Sequence, residues 1–207
     1  MRLGVFGGSF DPVHIGHLLA AECCREQAGL DRVIFMPAAL APHKQDHRPA
    51  AADQRLQMLA LATGGHPAFT VSRTEIDRGG VSYTVDTLAT LAAEHPGDEL
   101  LLILGPDALA QFPTWREPAR ILERHDLLVV EREGLDDVAG ITGRPAVAML
   151  LGAERRQRII ATRVTMPAIG IRSSDLRAAL AAGRGIRYRT PRAVEAYIEA
   201  QGLYREG

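Results

Sequence analysis

Residues 4–21, GVFGGSFDPVHIGHLLAA, carry two histidines three positions apart, His14 and His17, with Gly16 directly before the second. The stretch begins like a buried strand and continues with helical spacing, which places the histidines at a helix N-terminus. Unpaired N–H groups and a partial positive charge at such a terminus favour phosphate. An imidazolium beside a phosphate can stay charged near neutral pH. We therefore interpret the stretch as a phosphate clamp with two cationic donors.

The glycines of this stretch suggest close approach of a ligand to the main chain. Gly7 and Gly8 follow the predicted strand, and ligands of open parallel sheets bind at the carboxyl ends of strands. We expect both to adopt backbone conformations closed to other residues and to leave room for the ligand. We expect Gly16 to remove a side chain that would crowd the phosphate.

Three other interpretations of the stretch are weaker. It lacks the G-x-G-x-x-G spacing, which disfavours a dehydrogenase-type dinucleotide site. Two histidines could bind a metal, but no third ligand with suitable spacing is evident, so we predict no metal site. A purely structural turn stays open, because glycine and proline also build ordinary turns.

Composition excludes several classes of protein. Of 207 residues, 46% are hydrophobic and 24% charged, as in ordinary globular proteins, and the net charge of −1 disfavours a general nucleic-acid binder. The start does not resemble a signal peptide, and no stretch approaches the length of a membrane-spanning helix. Cys23 and Cys24 are adjacent, which suits a reducing, cytoplasmic setting better than a structural disulfide. We expect no membrane association.

Strand-like and helix-like segments alternate along the chain. This rhythm predicts an α/β fold, a Rossmann-like parallel sheet with helices on both faces, as one domain over residues 1–207. Two closing helices, each with an N-cap signal before it and glycine after it, predict a small C-terminal helical part over 171–207. Residues 134–162 fit no clear element. Predicted strands are RLGVF, RVIFMP, AFTVSRTEI, ELLLILG and DLLVVERE, and predicted helices follow at HIGHLLAAECCREQAG, AADQRLQMLALATGG, SYTVDTLATLAAEHPG, EPARILERH, SSDLRAALAAG and TPRAVEAYIEAQG.

Several motifs, in this order, resemble those of one enzyme family. GGSFDPVHIGHL resembles the H/T-x-G-H signature of the nucleotidylyltransferase superfamily. The later motifs are APHK, GGVSYTVDTL, LGPD, PTWRE, IRSSDLR and TPRAVEAYIEAQGLY. Together they resemble the nicotinate-nucleotide adenylyltransferases, over nearly the whole chain. Arg172 and Ser174 depart from the usual I-S-S-T-x-I-R, and Pro106 is unusual in the G-x-D turn, which its fixed φ should stiffen.

The resemblance implies adenylyl transfer from ATP to nicotinate mononucleotide, giving nicotinate adenine dinucleotide and pyrophosphate. The attacking phosphate is already an anion, so alignment and charge stabilisation suffice. Magnesium is expected to arrive with ATP rather than in a protein cage. ATP and the mononucleotide are the expected partners, and homo-oligomerisation stays open.

The resemblance also implies residue roles on the ATP side. His17 contacts the α-phosphate and His14 the triphosphate, while Lys44 neutralises charge between the substrates. Arg177 completes the proposed catalytic set from the start of a late helix. The expected ATP-binding residues are Gly7, Gly8, Ser9, Phe10, Gly16, Asp107, Ser173 and Ser174. Asp107 could instead be a helix N-cap, and Lys44 a solvated loop residue.

On the mononucleotide side, Trp115 is expected to stack on the pyridine. In the family that the chain resembles, main-chain N–H groups make most of the contacts with the nicotinate carboxylate. Thr84 and Arg116 are the matching positions in this sequence. His43 is expected to contact substrate phosphate from its loop, although a metal site with His47 is conceivable. Arg132 either faces the site or is an ordinary strand-end residue.

Two other functions stay open. One is a different nucleotidylyltransferase, acting on phosphopantetheine or on nicotinamide mononucleotide. The other is a catalytically silent nucleotide-binding regulator, although intact His14, His17, Lys44 and Arg177 disfavour it.

Overall fold

The computed structural model describes residues 1–40 and 49–205. Six strands form one sheet in the order β3-β2-β1-β4-β5-β6, and the pairs β1–β4, β4–β5 and β5–β6 are parallel. The strands are β1 Arg2–Gly8, β2 Arg32–Pro37, β3 Phe69–Val71, β4 Glu99–Leu104, β5 Asp126–Arg132 and β6 Val164–Met166. The strand order reverses beside β1, so the loop after β1 lies where such sheets bind ligands. The predicted Rossmann-like α/β fold is confirmed.

Helices connect the strands. Gly152, at φ 70°, kinks the long helix α8. None of the described helices is both long and apolar enough to cross a membrane. The helices are α1 Ile15–Gln27, α2 Ala52–Thr63, α3 Thr74–Arg78, α4 Thr84–Glu94, α5 Pro106–Gln111, α6 Pro118–Leu122, α7 Val138–Gly143, α8 Pro145–Thr162, α9 Ser173–Ala181 and α10 Arg192–Gln201, with a 3-10 turn at Phe112–Thr114.

The strands form where the sequence has continuous apolar runs. In β4, every residue from Leu100 to Leu104 is buried, and in β5 residues Leu127 to Val130 are buried. Runs of this kind are typical of parallel strands covered on both faces. The register pairs Leu102 of β4 with Val5 of β1 and with Leu127 of β5. The core of the sheet is therefore built from the segments that the sequence predicts as strands.

The chain forms two compact units, each made of separate segments. Unit 1 comprises Met1–Phe6, Ala20–Ile34 and Tyr83–Ala168, and unit 2 comprises Gly7–Leu19, Phe35–Ser82 and Ile169–Gly207. In unit 2, the main-chain N–H of Ile15 donates to the carbonyl of Arg189, and the hydroxyl of Thr190 donates to the carbonyl of Val13. The C-terminal helices therefore share a unit with the loop after β1. The single domain predicted over 1–207 stays a prediction.

Some predicted elements differ from the structure. The strand expected over AFTVSRTEI ends at Val71, and Thr74–Arg78 is helical instead. Residues 134–162 form α7 and α8, and α5 begins directly after Gly105 with Pro106 at its start. The closing helices α9 and α10 are confirmed. Their expected side-chain N-caps are wrong, because Arg172 and Pro191 occupy the N-cap positions without a side-chain hydrogen bond.

Candidate active site

The loop after β1 turns sharply at Phe10. Its φ is 47°, in the left-handed region, and its ring is buried against Phe35 with centroids 5.7 Å apart. A Cβ at Gly8 would lie 3.1 Å from the Phe10 ring, so glycine at position 8 gives that ring its room. Gly7 and Gly8 both belong to β1 and neither has a positive φ. The expectation that they need unusual backbone conformations is therefore wrong, and the strained residue is Phe10.

The two histidines form one stacked unit at the start of α1. Their ring centroids lie 3.7 Å apart with an interplanar angle of 20°. The main-chain N–H of His14 donates to Nδ1 of His17 at 3.3 Å, and the His14 carbonyl accepts from the His17 N–H at 2.9 Å. Because Nδ1 of His17 accepts a hydrogen bond, a neutral His17 ring carries its proton on Nε2. His17 is half-buried, and its ring also contacts the edge of the Phe10 ring, with centroids 5.1 Å apart.

Gly16 makes room for the His14 ring. A Cβ at position 16 would lie 3.1 Å from both Cε1 and Nδ1 of His14, and 3.8 Å from the Ile169 side chain. Gly16 therefore also has a steric reason within the protein, and its expected role beside a phosphate stays a prediction. A side chain at position 16 would require the His14 ring to shift by a few tenths of an ångström.

Burial determines the charge of His14. The residue is 6% exposed, and its Nδ1 is buried without a hydrogen-bond partner among residues 1–40 and 49–205. Burial lowers the pKa of His14 to about 4, because the charged form is poorly solvated. Without a bound anion His14 is neutral at pH 7, and the imidazolium expected beside a phosphate stays a prediction. A neutral ring still offers one N–H donor to a phosphate.

The start of α9 lies against the same loop. The Ser173 hydroxyl donates to the Pro12 carbonyl at 2.9 Å, and Nη1 of Arg177 donates to the Asp11 carbonyl at 2.7 Å. Nη1 also lies 3.6 Å from Oδ2 of Asp11. Ser174 is exposed, and its hydroxyl lies 3.3 Å from the carboxylate of Asp175. The structure thus brings Ser173 and Arg177 to the loop, with protein partners already in place.

Sequence reasoning missed a buried polar cluster beneath this loop, formed by Asp11, Arg55 and Tyr204. Asp11 is 2% exposed and Arg55 1% exposed. Oδ1 of Asp11 accepts from the Tyr204 hydroxyl at 2.6 Å and from the Ala50 N–H at 3.1 Å. The cluster links segments that are distant in sequence, and it supports the main chain that carries His14.

Arg55 uses its guanidinium to hold main-chain carbonyls. Nη1 donates to Ser9 at 2.9 Å, Nε to Ala50 at 3.1 Å, and Nη2 to Ala39 at 3.5 Å. Burial lowers the pKa of Arg55, and the negative charge of Asp11 opposes that effect. Arg55 therefore connects the main chain on both sides of residues 41–48 to the loop after β1. The Ser9 predicted to bind ATP contributes its carbonyl to this arrangement.

In unit 1, the start of α4 carries the predicted Thr84. Thr84 is the first helical residue and Tyr83 is its N-cap, so the Thr84 N–H has no acceptor within the helix. The guanidinium of Arg116 lies over the Tyr83 ring, 4.6 Å from its centroid, and 3.9 Å from the carboxylate of Asp86. Arg116 and the helix start are therefore neighbours, as the prediction for the carboxylate-binding groups requires.

Trp115 lies at the end of the 3-10 turn. It is half-buried, and its ring contacts the edge of Phe112 with centroids 5.3 Å apart. Phe112 is fully buried, so the indole is fixed on one side by the core. Trp115 is consequently not an ordinary core residue, and its stacking role stays a prediction.

Two further predicted residues follow β4 and β5. Asp107 is exposed in the first turn of α5, whose N-cap is Gly105, so the alternative N-cap role of Asp107 is wrong. The Arg132 guanidinium makes two hydrogen bonds to the Asp136 carboxylate, at 2.8 and 2.9 Å. Asp136, and more weakly Asp107, raise the pKa of Arg132. Arg132 therefore has a protein partner already.

The predicted loop residues His43, Lys44 and His47 lie outside the described residues. Within residues 1–40 and 49–205, no group of three or more His, Cys, Asp or Glu could hold a metal ion. The described part brings histidine, arginine and serine together beside a helix N-terminus, which suits a phosphate-bearing ligand.

The chain matches a family model described as cytidylyltransferase-like over residues 5–179. It is 45% identical over 207 residues to a Thermus thermophilus protein named "Probable nicotinate-nucleotide adenylyltransferase", covering 99% of this chain and 100% of that protein. A Thermomicrobium roseum protein of the same name is 44% identical, with 99% and 92% covered. The chain belongs to the cytidylyltransferase-like family of nucleotidyltransferases, within the group of nicotinate-nucleotide adenylyltransferases. The resemblance of its motifs is thereby confirmed.

Solved structures show the same fold at low sequence identity. A Plasmodium falciparum nicotinic acid mononucleotide adenylyltransferase complexed with NaAD matches with a TM-score of 0.74 and 16% identity, covering 98% of this chain and 97% of that one. The same enzyme complexed with APC matches with a TM-score of 0.72 and 16% identity, covering 98% and 96%. At this identity the likeness supports the fold alone.

Proposed function

We propose that this protein transfers the adenylyl group of ATP to nicotinate mononucleotide, releasing pyrophosphate and forming nicotinate adenine dinucleotide. The observation that carries the proposal is the stacked pair His14 and His17 at the start of α1, held against Arg177 of α9 through the loop after β1. These groups supply N–H donors and positive charge without a nucleophile of their own. Family membership favours the same reaction.

The proposed chemistry needs only alignment and charge stabilisation. The phosphate of the mononucleotide attacks the α-phosphorus of ATP, a bond to the pyrophosphate oxygen breaks, and pyrophosphate leaves. His17 donates from Nε2 to the α-phosphate, because its Nδ1 already accepts the His14 N–H. Negative charge spreads over the phosphoryl oxygens in the transition state, and fixed donors stabilise it there.

His14 and Arg177 hold the triphosphate in this proposal. His14 offers an N–H donor from its ring, and Arg177 adds a permanent charge. Ser9, Phe10, Ser173 and Ser174 contribute main-chain or hydroxyl groups from the same unit. Magnesium accompanies ATP as part of that substrate. Lys44 keeps its predicted role between the substrates.

Residues of unit 1 would bind the pyridine nucleotide. Trp115 stacks on the pyridine ring, and main-chain N–H groups at Thr84 and Arg116 donate to the nicotinate carboxylate. The N-terminal end of α4 suits an anion. Asp107, which is also in unit 1, would instead accept a hydrogen bond from a ribose hydroxyl of ATP. We also propose a cytoplasmic location, since Cys23 and Cys24 are both free thiols.

A pyrophosphate-release assay with a panel of acceptors tests the function. With ATP, we expect turnover on nicotinate mononucleotide and much less on nicotinamide mononucleotide or phosphopantetheine. Greater turnover on phosphopantetheine would assign a different nucleotidylyltransferase. Binding of ATP in a thermal-shift measurement without pyrophosphate release on any acceptor would favour a silent regulator. CTP in place of ATP serves as the control for the transferred nucleotide.

A further inference from the structure

The C-terminal segment returns to the loop after β1 through a defined turn. Helix α10 ends with Gly202 in the left-handed conformation at φ 61°, and the Leu203 N–H donates to the Ile198 carbonyl at 3.1 Å. Tyr204 follows with φ 62°, a conformation that costs a non-glycine residue energy. The surrounding contacts must compensate for that cost, so the position of the Tyr204 side chain is strongly determined.

The Tyr204 hydroxyl donates a hydrogen bond to the carboxylate of Asp11, which also faces Arg177. Oδ1 of Asp11 accepts from Tyr204 at 2.6 Å, while Oδ2 lies 3.6 Å from Nη1 of Arg177. The same Nη1 donates to the main-chain carbonyl of Asp11 at 2.7 Å. One carboxylate oxygen of Asp11 is therefore hydrogen-bonded to Tyr204. The other carboxylate oxygen and the main-chain carbonyl of Asp11 interact with Arg177.

Arg177 keeps donors for a ligand in this arrangement. Its guanidinium has five N–H groups, and the hydrogen bond and ion pair given above use only Nη1. The side chain remains 23% exposed, whereas Asp11 is 2% exposed. One end of the guanidinium is thus anchored in the interior and the rest can face an anion.

Tyr204 keeps its phenolic proton throughout the neutral pH range. Burial and then the Asp11 charge raise the pKa of the Tyr204 phenol well above its ordinary value. The phenol therefore remains a hydrogen-bond donor to Asp11 in this range.

We propose that Tyr204 is a positioning residue for ATP binding, acting through Asp11 to fix the guanidinium of Arg177. The proposal rests on the proposed function in one respect, namely that Arg177 binds the ATP phosphates. Tyr204 itself touches no substrate in this proposal. Tyr204 restricts the Arg177 side chain before ATP binds, so that Arg177 loses less conformational entropy on binding.

The test is the affinity for α,β-methylene-ATP, an analogue in which adenylyl transfer is blocked, measured by calorimetry with and without nicotinate mononucleotide. Tyr204→Phe removes only the hydroxyl, and we expect the analogue Kd to rise about three- to tenfold, the scale of one ordinary hydrogen bond because the effect on ATP is indirect. Tyr188→Phe is the matched control, because Tyr188 is 85% exposed in the same C-terminal part, and its Kd should equal the parent value.

A double-mutant cycle separates positioning from a general effect on folding. In the Arg177→Gln background, Tyr204→Phe should add no further loss of affinity, since the group that it positions is gone. Asp11→Asn retains an oxygen for Tyr204 but removes the charge opposite Arg177, and it should likewise be non-additive with Tyr204→Phe. Equal losses in both backgrounds, or an unchanged Kd in Tyr204→Phe, would overturn the proposal.

The outcomes also separate this proposal from the proposed function. Suppose that the parent binds the analogue and that Tyr204→Phe and Arg177→Gln are non-additive, but that no pyrophosphate is released with nicotinate mononucleotide. The proposed function then fails and the positioning role stands. If the parent enzyme converts nicotinate mononucleotide normally, but the losses of analogue affinity in the double-mutant cycle are additive, only the positioning role fails. If the parent does not bind the analogue, both fail.

Discussion

The main-chain N–H of His14 donates to Nδ1 of His17 across 3.3 Å, while the two rings stack with centroids 3.7 Å apart. One residue thereby determines both the orientation and the tautomer of the other. The proton of a neutral His17 lies on Nε2, the atom farthest from the main chain. The first histidine of the motif is therefore part of the support for the second.

Replacing His17 with alanine should lower kcat by on the order of 10²–10³-fold, the usual scale for one lost charge-stabilising donor. The affinity for ATP should change less, because His14 and Arg177 remain. Steady-state pyrophosphate release at saturating substrates measures the effect. His95→Ala is the control, since His95 is the half-buried C-cap residue of α4 and belongs to no predicted site, so the change should leave kcat unchanged. A His17→Ala enzyme with parental kcat would remove His17 from the mechanism.

Acidification should destabilise the ligand-free protein through His14. Its pKa is about 4 in the folded protein against 6.5 as the ordinary value, so the unfolded chain binds more protons between these values. Stability from this group is present above pH 6.5 and is lost as the pH falls towards 4. The full loss of unfolding free energy through His14 is on the order of 3 kcal/mol.

Urea unfolding of the parent and of His14→Gln at pH 7 and pH 4 measures the contribution of His14 to the free energy of unfolding. The parent should lose more stability than the variant between the two pH values, because the carboxylates that titrate in this range are common to both. A proton NMR titration of the His14 ring is the independent measurement. Identical pH dependence in the two proteins would contradict burial as the cause.

Thr84→Pro should reduce the preference for nicotinate over nicotinamide mononucleotide. Proline is tolerated at the first helical position, and Tyr83 before it is extended at φ −93° and ψ 127°, which suits a following proline. The substitution therefore removes one N–H donor and leaves α4 in place. A lost donor to a carboxylate costs about 1–3 kcal/mol, so the preference should fall about tenfold.

Competition between the two mononucleotides at limiting ATP gives the preference directly. Thr84→Ala is the matched control, since it removes the side chain and keeps the N–H, and its preference should equal that of the parent. If Thr84→Ala lost the preference as fully as Thr84→Pro, the hydroxyl rather than the main chain would be the donor.

Trp115→Ala should weaken the mononucleotide far more than ATP. Stacking on an aromatic ring is worth roughly 1–3 kcal/mol per base, which predicts a KM increase of about 10- to 100-fold for the mononucleotide. Trp115→Phe keeps an aromatic face and should recover most of the loss. Trp115 is half-buried, so the melting temperature should fall little. Equal increases in both KM values, together with a lowered melting temperature, would assign Trp115 to packing.

The long strands could be predicted from sequence because their signal is local. In β4, every residue after Glu99 is apolar, and such a run between turn residues has few other structures available. The predicted strand AFTVSRTEI is too long, since β3 ends at Val71 and the side chain of Ser72 bonds to the start of the next helix. The Ser72 hydroxyl accepts from the Thr74 N–H at 3.2 Å and starts α3, whose acidic first turn and following Gly79 are ordinary helix signals.

The buried cluster was harder to predict because its pairings are not local. Arg55 shares a helix face with the buried Met58 and Leu59, at spacings of three and four residues, which was a usable signal for burial. The hydrogen bond between Asp11 and Tyr204 spans 193 residues, and no pattern in a single sequence pairs them. Sequence could therefore nominate the histidines and Arg177 as candidate site residues, but it could not find the residues that hold them.

The contacts of Asp11, Pro12 and Val13 with the C-terminal part also set the order in which the site can form during synthesis. Their partners Ser173, Arg177, Thr190 and Tyr204 follow them by 161 to 193 residues. At about 5–20 residues per second, the ribosome adds the last of these roughly 10–40 s after the loop itself. A chain whose translation stops earlier carries both histidines of the motif but lacks the contacts that hold them in place.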